Sequence, residues 1–122
     1  MNKNASITNR GKRFYLVSPG LTGDNGTVSL ESADHPDFYL RHYNYLLDVE
    51  SRTDPRNPGL FYPDATFRLH IDLWHKGYVS FESVNYANHY IRHQGYRLRI
   101  SQQDGSSLFK LDASFRPVEG IY

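Results

Sequence analysis

Val28-Ser29-Leu30-Glu31-Ser32, followed by Phe38-Tyr39-Leu40-Arg41-His42, returns as Val79-Ser80-Phe81-Glu82-Ser83, followed by His89-Tyr90-Ile91-Arg92-His93, at an offset of 51 positions. Downstream, Leu60-Phe61-Tyr62-Pro63-Asp64-Ala65-Thr66-Phe67-Arg68 reappears as Leu108-Phe109-Lys110-Leu111-Asp112-Ala113-Ser114-Phe115-Arg116 at an offset of 48, so one loop differs in length between the copies. Self-similarity at a fixed period marks a repeat architecture. Apolar periodicity would recur in any two strands facing one core, but it would not restore an Arg-His pair, a Glu and an Asp at matched places. Each copy is therefore expected to build the same small site.

Around the matched blocks, short β-rich runs alternate with turn residues. The expected strands are 14–17, 27–32, 38–42, 46–50, 67–71, 78–84, 89–93, 97–101 and 115–118, with plain alternation in Tyr96-Arg97-Leu98-Arg99-Ile100. Between them lie Pro19-Gly20, Gly23-Asp24-Asn25-Gly26, Asp54-Pro55-Arg56-Asn57-Pro58-Gly59 and Asp104-Gly105-Ser106-Ser107, all turn chemistry. No window carries a sustained helical stripe. This pattern is that of an all-β sandwich or closed barrel.

The 122 residues suffice for one core. Residues 1–12 are polar and read as a flexible N-terminal arm ahead of a single domain over 13–122. Within that domain, repeat one spans 13–65, repeat two 66–113, and 114–122 looks like the opening of a third repeat whose remainder is missing. Such an incomplete closure leaves strand edges that natural proteins cover or pair. A second copy of the chain completing the sheet as a homo-oligomer is one expected solution; a fragment, or a third unit compressed into the termini, are the others.

With 14 basic and 13 acidic side chains the formal charge is +1, and the basic residues are scattered, which argues against nucleic acid as partner. The absence of cysteine excludes a disulfide framework and thiolate metal sites. No apolar run approaches a membrane span, and Met1-Asn2-Lys3-Asn4-Ala5-Ser6 lacks the apolar stretch of a signal peptide. His42 and His93, taken with His35, His70, His75 or His89, follow no recognised ligand spacing, so neither a metal nor another cofactor is expected. Ten tyrosines suit either a surface that must be apolar and hydrogen-bonding together or a small β core.

The blocks Ser80-Phe81-Glu82-Ser83-Val84-Asn85, Tyr90-Ile91-Arg92-His93, Leu98-Arg99-Ile100 and Asp112-Ala113-Ser114-Phe115-Arg116, with their first-repeat counterparts, resemble the arabinose-binding domain at the C-terminus of fungal arabinofuranosidase B, carbohydrate-binding module family 42. The resemblance covers residues 13–122 and implies a β-trefoil with one sugar pocket per unit, a carbohydrate ligand of the arabinofuranose type and an extracellular setting. It also implies the site residues: His42 with Asp64 and His93 with Asp112 on the sugar hydroxyls, and Tyr39 and Tyr90 shaping the walls. Asn85, and Asp34 at the matched place, are expected either to border the pockets or to turn the chain.

The chemistry of those residues stands beside the resemblance. An ionised Asp accepts two hydrogen bonds from vicinal hydroxyls, and a neutral His donates or accepts another. The same Asp residues could instead be turn residues bonded to their own backbone. Arg41 and Arg92 are expected to pack their stems and to pair with Glu31 and Glu82. Glycosidases need two carboxylates across one bond; each repeat offers one Asp, so no catalysis is expected. Two functions remain open: non-catalytic carbohydrate binding, or a protein-interaction or self-assembly role on the same scaffold. The second repeat matches the family pattern better, and its pocket is expected to be the tighter.

Overall fold

In the computed structural model, which describes residues 2–119, the chain forms one ten-stranded antiparallel sheet and two short helices. The first repeat carries β2 (Lys12–Ser18), β3 (Thr27–Ser32), β4 (Phe38–Tyr43), β5 (Leu46–Ser51) and α1 (Pro58–Asp64). The second carries β6 (Phe67–Ile71), β7 (Val79–Ser83), β8 (His89–Gln94), β9 (Arg97–Gln102) and α2 (Ser107–Asp112). Strand β1 (Asn2–Asn9) precedes both, and β10 (Val118–Glu119) follows them. Met1 and the last three residues of the expected partial repeat, Gly120, Ile121 and Tyr122, lie outside the described residues.

Hydrogen-bonded neighbours run β3-β4-β5-β9-β8-β7-β6 and return to β3 through the Thr27↔Arg68 and Val28↔Phe67 pairs, so the sheet closes into a barrel-like wall. Core-facing residues alternate along the longer strands. Leu98 and Ile100 on β9, Leu16 and Phe14 on β2, Phe81 and Val79 on β7, and Ile91 on β8 meet in a single apolar core with Phe67, Phe115, Leu30 and Ile7. Each such side chain taken from water contributes about 1.5–3 kcal/mol, which is what holds strands this short together.

The N-terminal residues are a correction to the sequence reading. Asn2–Asn9 is a strand, not a flexible arm: it forms a hairpin with β2 and pairs with β10 through Ala5↔Glu119 and Ser6↔Val118. Ile7 is 1% exposed and belongs to the core. The termini thus pair with each other within one chain, and Phe115 exchanges two backbone hydrogen bonds with Val79, at 2.8 and 2.9 Å, which tie the C-terminal segment to β7.

The two helices, of seven and six residues, were not foreseen. Each is held by one buried ring, Phe61 or Phe109, and ends at the repeated Asp-Ala-Thr/Ser-Phe-Arg block. In that block the Ala (Ala65, Ala113) is fully buried, and the hydroxyl of Thr66 or Ser114 donates to the carbonyl of Tyr62 or Lys110, at 2.7 and 2.6 Å. That hydroxyl satisfies an orphan carbonyl at the helix end, and the following Phe opens the next strand.

Candidate functional site

Arg41 and His42 are consecutive on β4, and both are buried, at 0% and 3% exposure. The Arg41 guanidinium is the anchor of the first site. It donates to Asp64 Oδ2 at the end of α1, to Glu50 Oε1 at 3.2 Å on the neighbouring strand β5, to the Arg56 carbonyl, and through Nε to the His42 carbonyl at 3.1 Å. The Phe61 ring packs 5.5 Å from it. A buried cation needs this degree of pairing to be tolerated. Its consequence is that the Asp64 carboxylate is held in one orientation, with Oδ2 used by the arginine and Oδ1 turned toward His42.

Three further side chains converge there. Asn85, on the bend after β7, donates through Nδ2 to Asp64 Oδ1 at 2.8 Å and accepts at Oδ1 from Ser83 Oγ at 2.9 Å. That polarity makes His42 Nε2, 2.9 Å from Asn85 Oδ1, the donor of its own contact, so the neutral ring carries its proton on Nε2. Asp64 Oδ1 lies 3.5 Å from the same nitrogen. Burial pushes the His42 pKa below its usual value, against the opposing pull of the Asn85 hydrogen bond and the Asp64 charge, so the ring is neutral at pH 7. Tyr86 lies against the imidazole, ring centres 4.8 Å apart, and its amide donates to Ser83 Oγ at 3.1 Å, which fixes the bend.

His42, Asp64, Asn85 and Tyr86 line a cavity of about 250 Å3 together with Tyr43, Asn44, Asn57 and Leu60. The pocket is built across the repeats: His42 and Asp64 come from the first, Asn85 and Tyr86 from the second. Asp34, the counterpart of Asn85, is exposed and lines neither this cavity nor the one beside His93.

The second site is a looser copy. Arg92 again holds its Asp, with Nη2 donating to Asp112 Oδ2, and packs over Phe109 at 4.8 Å. However, Glu50 has no counterpart, since the matched position is Ser101, and the buried Arg92 Nε has no partner. His93 is exposed and touches Phe115 edge-on at 6.3 Å. The cavity, about 430 Å3, is lined by His93, Gln94, Gly95, Tyr96, Leu108 and Asp112 and completed by Asn9 and Arg10 from the β1–β2 turn.

The structure thus brings His42, Asp64 and Asn85 into one pocket, and His93 with Asp112 into another. Tyr39 and Tyr90 line neither of these two cavities. They are 2% and 6% exposed and pack beneath α1 and α2, with Phe61 and Ala65 or with Phe109 and Ala113. Burial, with Glu31 and Asp37 nearby, pushes the Tyr39 pKa up to about 12, and burial raises that of Tyr90. The expected Arg-Glu pairs also do not form. Glu31 and Glu82 instead accept the backbone N–H of Asp37 and Asn88 at 2.7 and 2.8 Å, closing the turn before the next strand. Their outer partners are Lys3 and His70. Among the described residues no three His, Cys, Asp or Glu side chains converge to hold a metal, and no helix is long and apolar enough to cross a membrane.

The alpha-L-arabinofuranosidase B (ABFB) domain model matches residues 1–71 and again 60–122. The chain belongs to this family. The double match to the ABFB domain follows the internal repeat and includes the N-terminal strand. A mouse otogelin-like protein is 35% identical over 113 residues, covering 88% of this chain and 5% of that protein. Alpha-L-arabinofuranosidase B of Emericella nidulans is 30% identical over 118 residues, 94% of this chain and 22% of the enzyme. The ABFB chain therefore spans about a fifth or less of these relatives. Among solved structures, an arabinofuranosidase complexed with arabinofuranosyl-alpha-1,2-xylobiose superposes with a TM-score of 0.73 over 98% of this chain and 31% of its own; at 23% identity this is a likeness of fold. A mutant GH54 arabinofuranosidase soaked with 4-nitrophenyl arabinofuranoside gives 0.69 at 30% identity, over 88% of this chain and 22% of its own.

Proposed function

We propose that the chain is a non-catalytic carbohydrate-binding domain for arabinofuranose-type side chains of polysaccharide, on a β-trefoil-like scaffold to whose third unit β1 and β10 contribute. The observation that carries this reading is the convergence of Asp64 Oδ1, His42 and Asn85 at one small cavity, with the carboxylate already oriented by Arg41. A set of fixed acceptors and donors of this kind suits vicinal hydroxyls that each donate and accept. At about 250 Å3 the first pocket is smaller than typical drug-sized sites and suits one monosaccharide. Family membership and the arabinofuranosidase relatives supply the sugar class.

One carboxylate lines that cavity, and it is tied to a buried arginine, which supports a binding rather than a hydrolytic role. Closure of the sheet through β3–β6, with β10 taken up by β1, favours a fold completed within one chain over completion by a second copy. The first pocket, with its buried His and three-way network, is the tighter of the two, the reverse of the expectation from sequence.

The test is calorimetric titration with methyl arabinofuranoside of the wild-type chain and of Asn85→Ala. Asn85 is exposed, so its truncation spares the core. The expected outcome is weak binding that Asn85→Ala reduces about tenfold, the worth of one or two polar contacts, at unchanged melting temperature. No heat at saturating sugar, or equal binding by the variant, refutes the proposal.

A further inference from the structure

The two pockets share a His/Asp pair but not an electrostatic character. In the first, Asp64 is the one charged side chain in the lining, and Arg41 balances it. In the second, Asp112 is balanced by Arg92 in the same way, and Arg10 is then added to the lining. Arg10 has no carboxylate partner among the described residues. Arg99, also without one, reaches Gln94 Oε1 at 3.5 Å, and Gln94 lines the same cavity. The lining of the second pocket therefore carries a cation, Arg10, that no carboxylate among the described residues pairs and that the first lacks, while Arg92 behind it acts on both Asp112 and Asp104.

Arg10 is also held in place. It stands at the tip of the β1–β2 hairpin with a left-handed backbone, φ +52°, and its guanidinium stacks 4.8 Å from the centre of the Tyr96 ring. Stacking on an aromatic face leaves the N–H edge of an arginine free and reduces the freedom it loses on pairing with an anion. Tyr96 itself is 86% exposed and adopts φ +64°, a conformation that L residues with bulky side chains rarely accept. That backbone is the two-residue β8–β9 hairpin turn, repeated at Asn44-Tyr45 in the first copy, and it places the exposed Tyr96 ring at the pocket rim. Leu108, which also lines the cavity, is likewise exposed.

We infer that the second pocket takes an anionic sugar, a monosaccharide unit bearing a carboxylate or a sulfate ester, with the ring against Tyr96 and the anionic group on Arg10. The inference rests on the reading of the His/Asp pockets as sugar sites. It departs from it in giving the two pockets different ligands.

The test is an NMR titration of the full chain with methyl glucuronide, methyl glucoside and a sulfated monosaccharide in turn. Amides of Arg10 and Tyr96 report the second pocket, and those of Asn85 and Tyr86 the first. At least one anionic sugar is expected to bind the second pocket about tenfold more tightly than the neutral glycoside, the increment of one charge-assisted contact. Arg10→Gln should abolish that preference, Arg10→Lys should keep only part of it, and added salt should weaken it. Which anion binds better names the source. Equal binding of charged and neutral sugars, no effect of Arg10→Gln, or equal occupancy by inorganic sulfate alone overturns the inference. Methyl arabinofuranoside in the same samples keeps the two readings apart. Silence at Asn85 and Tyr86 with uronide shifts at Arg10 and Tyr96 would remove the arabinofuranose reading and leave this one standing; the opposite pattern would do the reverse.

Discussion

Replacing Arg41 by Met removes a guanidinium that is 0% exposed while keeping most of its stem packing. Two carboxylates would be left behind, Asp64 and Glu50, whose side chains are only 9% and 12% exposed. Breaking a buried ion pair from one side costs about 3–5 kcal/mol; the loss falls mainly on Asp64, which keeps only the Asn85 amide and the neutral His42 ring, whereas Glu50 keeps Arg56. The matched change in the second repeat, Arg92→Met, should cost only about 1–2 kcal/mol. It removes one charge-assisted hydrogen bond, but it also removes a buried Nε–H that had no partner, and Asp112 is the more exposed acid. In urea melts this difference appears as a separation of midpoints at similar slope. In thermal melts it is about 4 °C for each kcal/mol in a chain of this size. Adding Asp64→Asn to Arg41→Met should recover part of the loss, since the two residues form one network. Failure of Arg41→Met to fold at all is the same result in stronger form. Equal costs for the two arginines, or a cost below about 1.5 kcal/mol for Arg41→Met, would refute the claim that the first site is built on a buried, paired cation.

The folded His42 lies below its unfolded pKa of 6.5, so the unfolded chain takes up a proton that the folded chain refuses. Stability should be full above pH 6.5 and fall as the pH drops below it, a slope that melting curves across pH 5–8 should show and that His42→Gln should flatten; an unchanged slope in the variant would contradict the assignment. Glu50 and Glu82 are held below 4.5 by hydrogen bonds, from Arg56 and Arg41 and from the Asn88 amide and His70, which outweigh the opposing desolvation, so a second loss should begin below that pH. A Cβ on Gly20 would meet Thr66 Cγ2 at 2.7 Å and the Val28 backbone at 3.0 Å; Gly20→Ala should therefore cost about 1–3 kcal/mol in urea melts, and a neutral result would show that this turn can shift. Tyr39→Phe, buried beneath α1, should leave sugar binding intact, whereas Tyr86→Ala should weaken it several-fold in the same titration.

The repeat made most of the sheet legible. Strands 27–32 and 67–71 have the expected bounds, and six others differ by one or two residues. Strand β1 was hidden because its residues are mostly polar, with Ile7 the one strongly apolar side chain in Asn2–Asn9, and its burial depends on β10, far away in sequence. The helices are too short to show a 3.6-residue period, and a single buried Phe holds each. His42, Asp64, His93 and Asp112 were readable as pairs because they recur at matched places. Asn85 was readable as a residue but not as a neighbour of His42, because alignment of repeats keeps each unit to itself while the fold shares the pocket between units. Glu31 looked like a partner for Arg41 because charge suggests it, but turn amides satisfy the carboxylate first. Arg10 gave no signal at all, since nothing in a repeat alignment marks a residue that precedes both copies.

A crystal structure of the chain soaked with methyl arabinofuranoside would test the sugar site shared between the two repeats. Sugar density is expected at the first pocket, with ring hydroxyls within hydrogen-bond distance of Asp64 Oδ1 and of His42 or Asn85. Density confined to some other surface, with that pocket empty at saturating sugar, would contradict it.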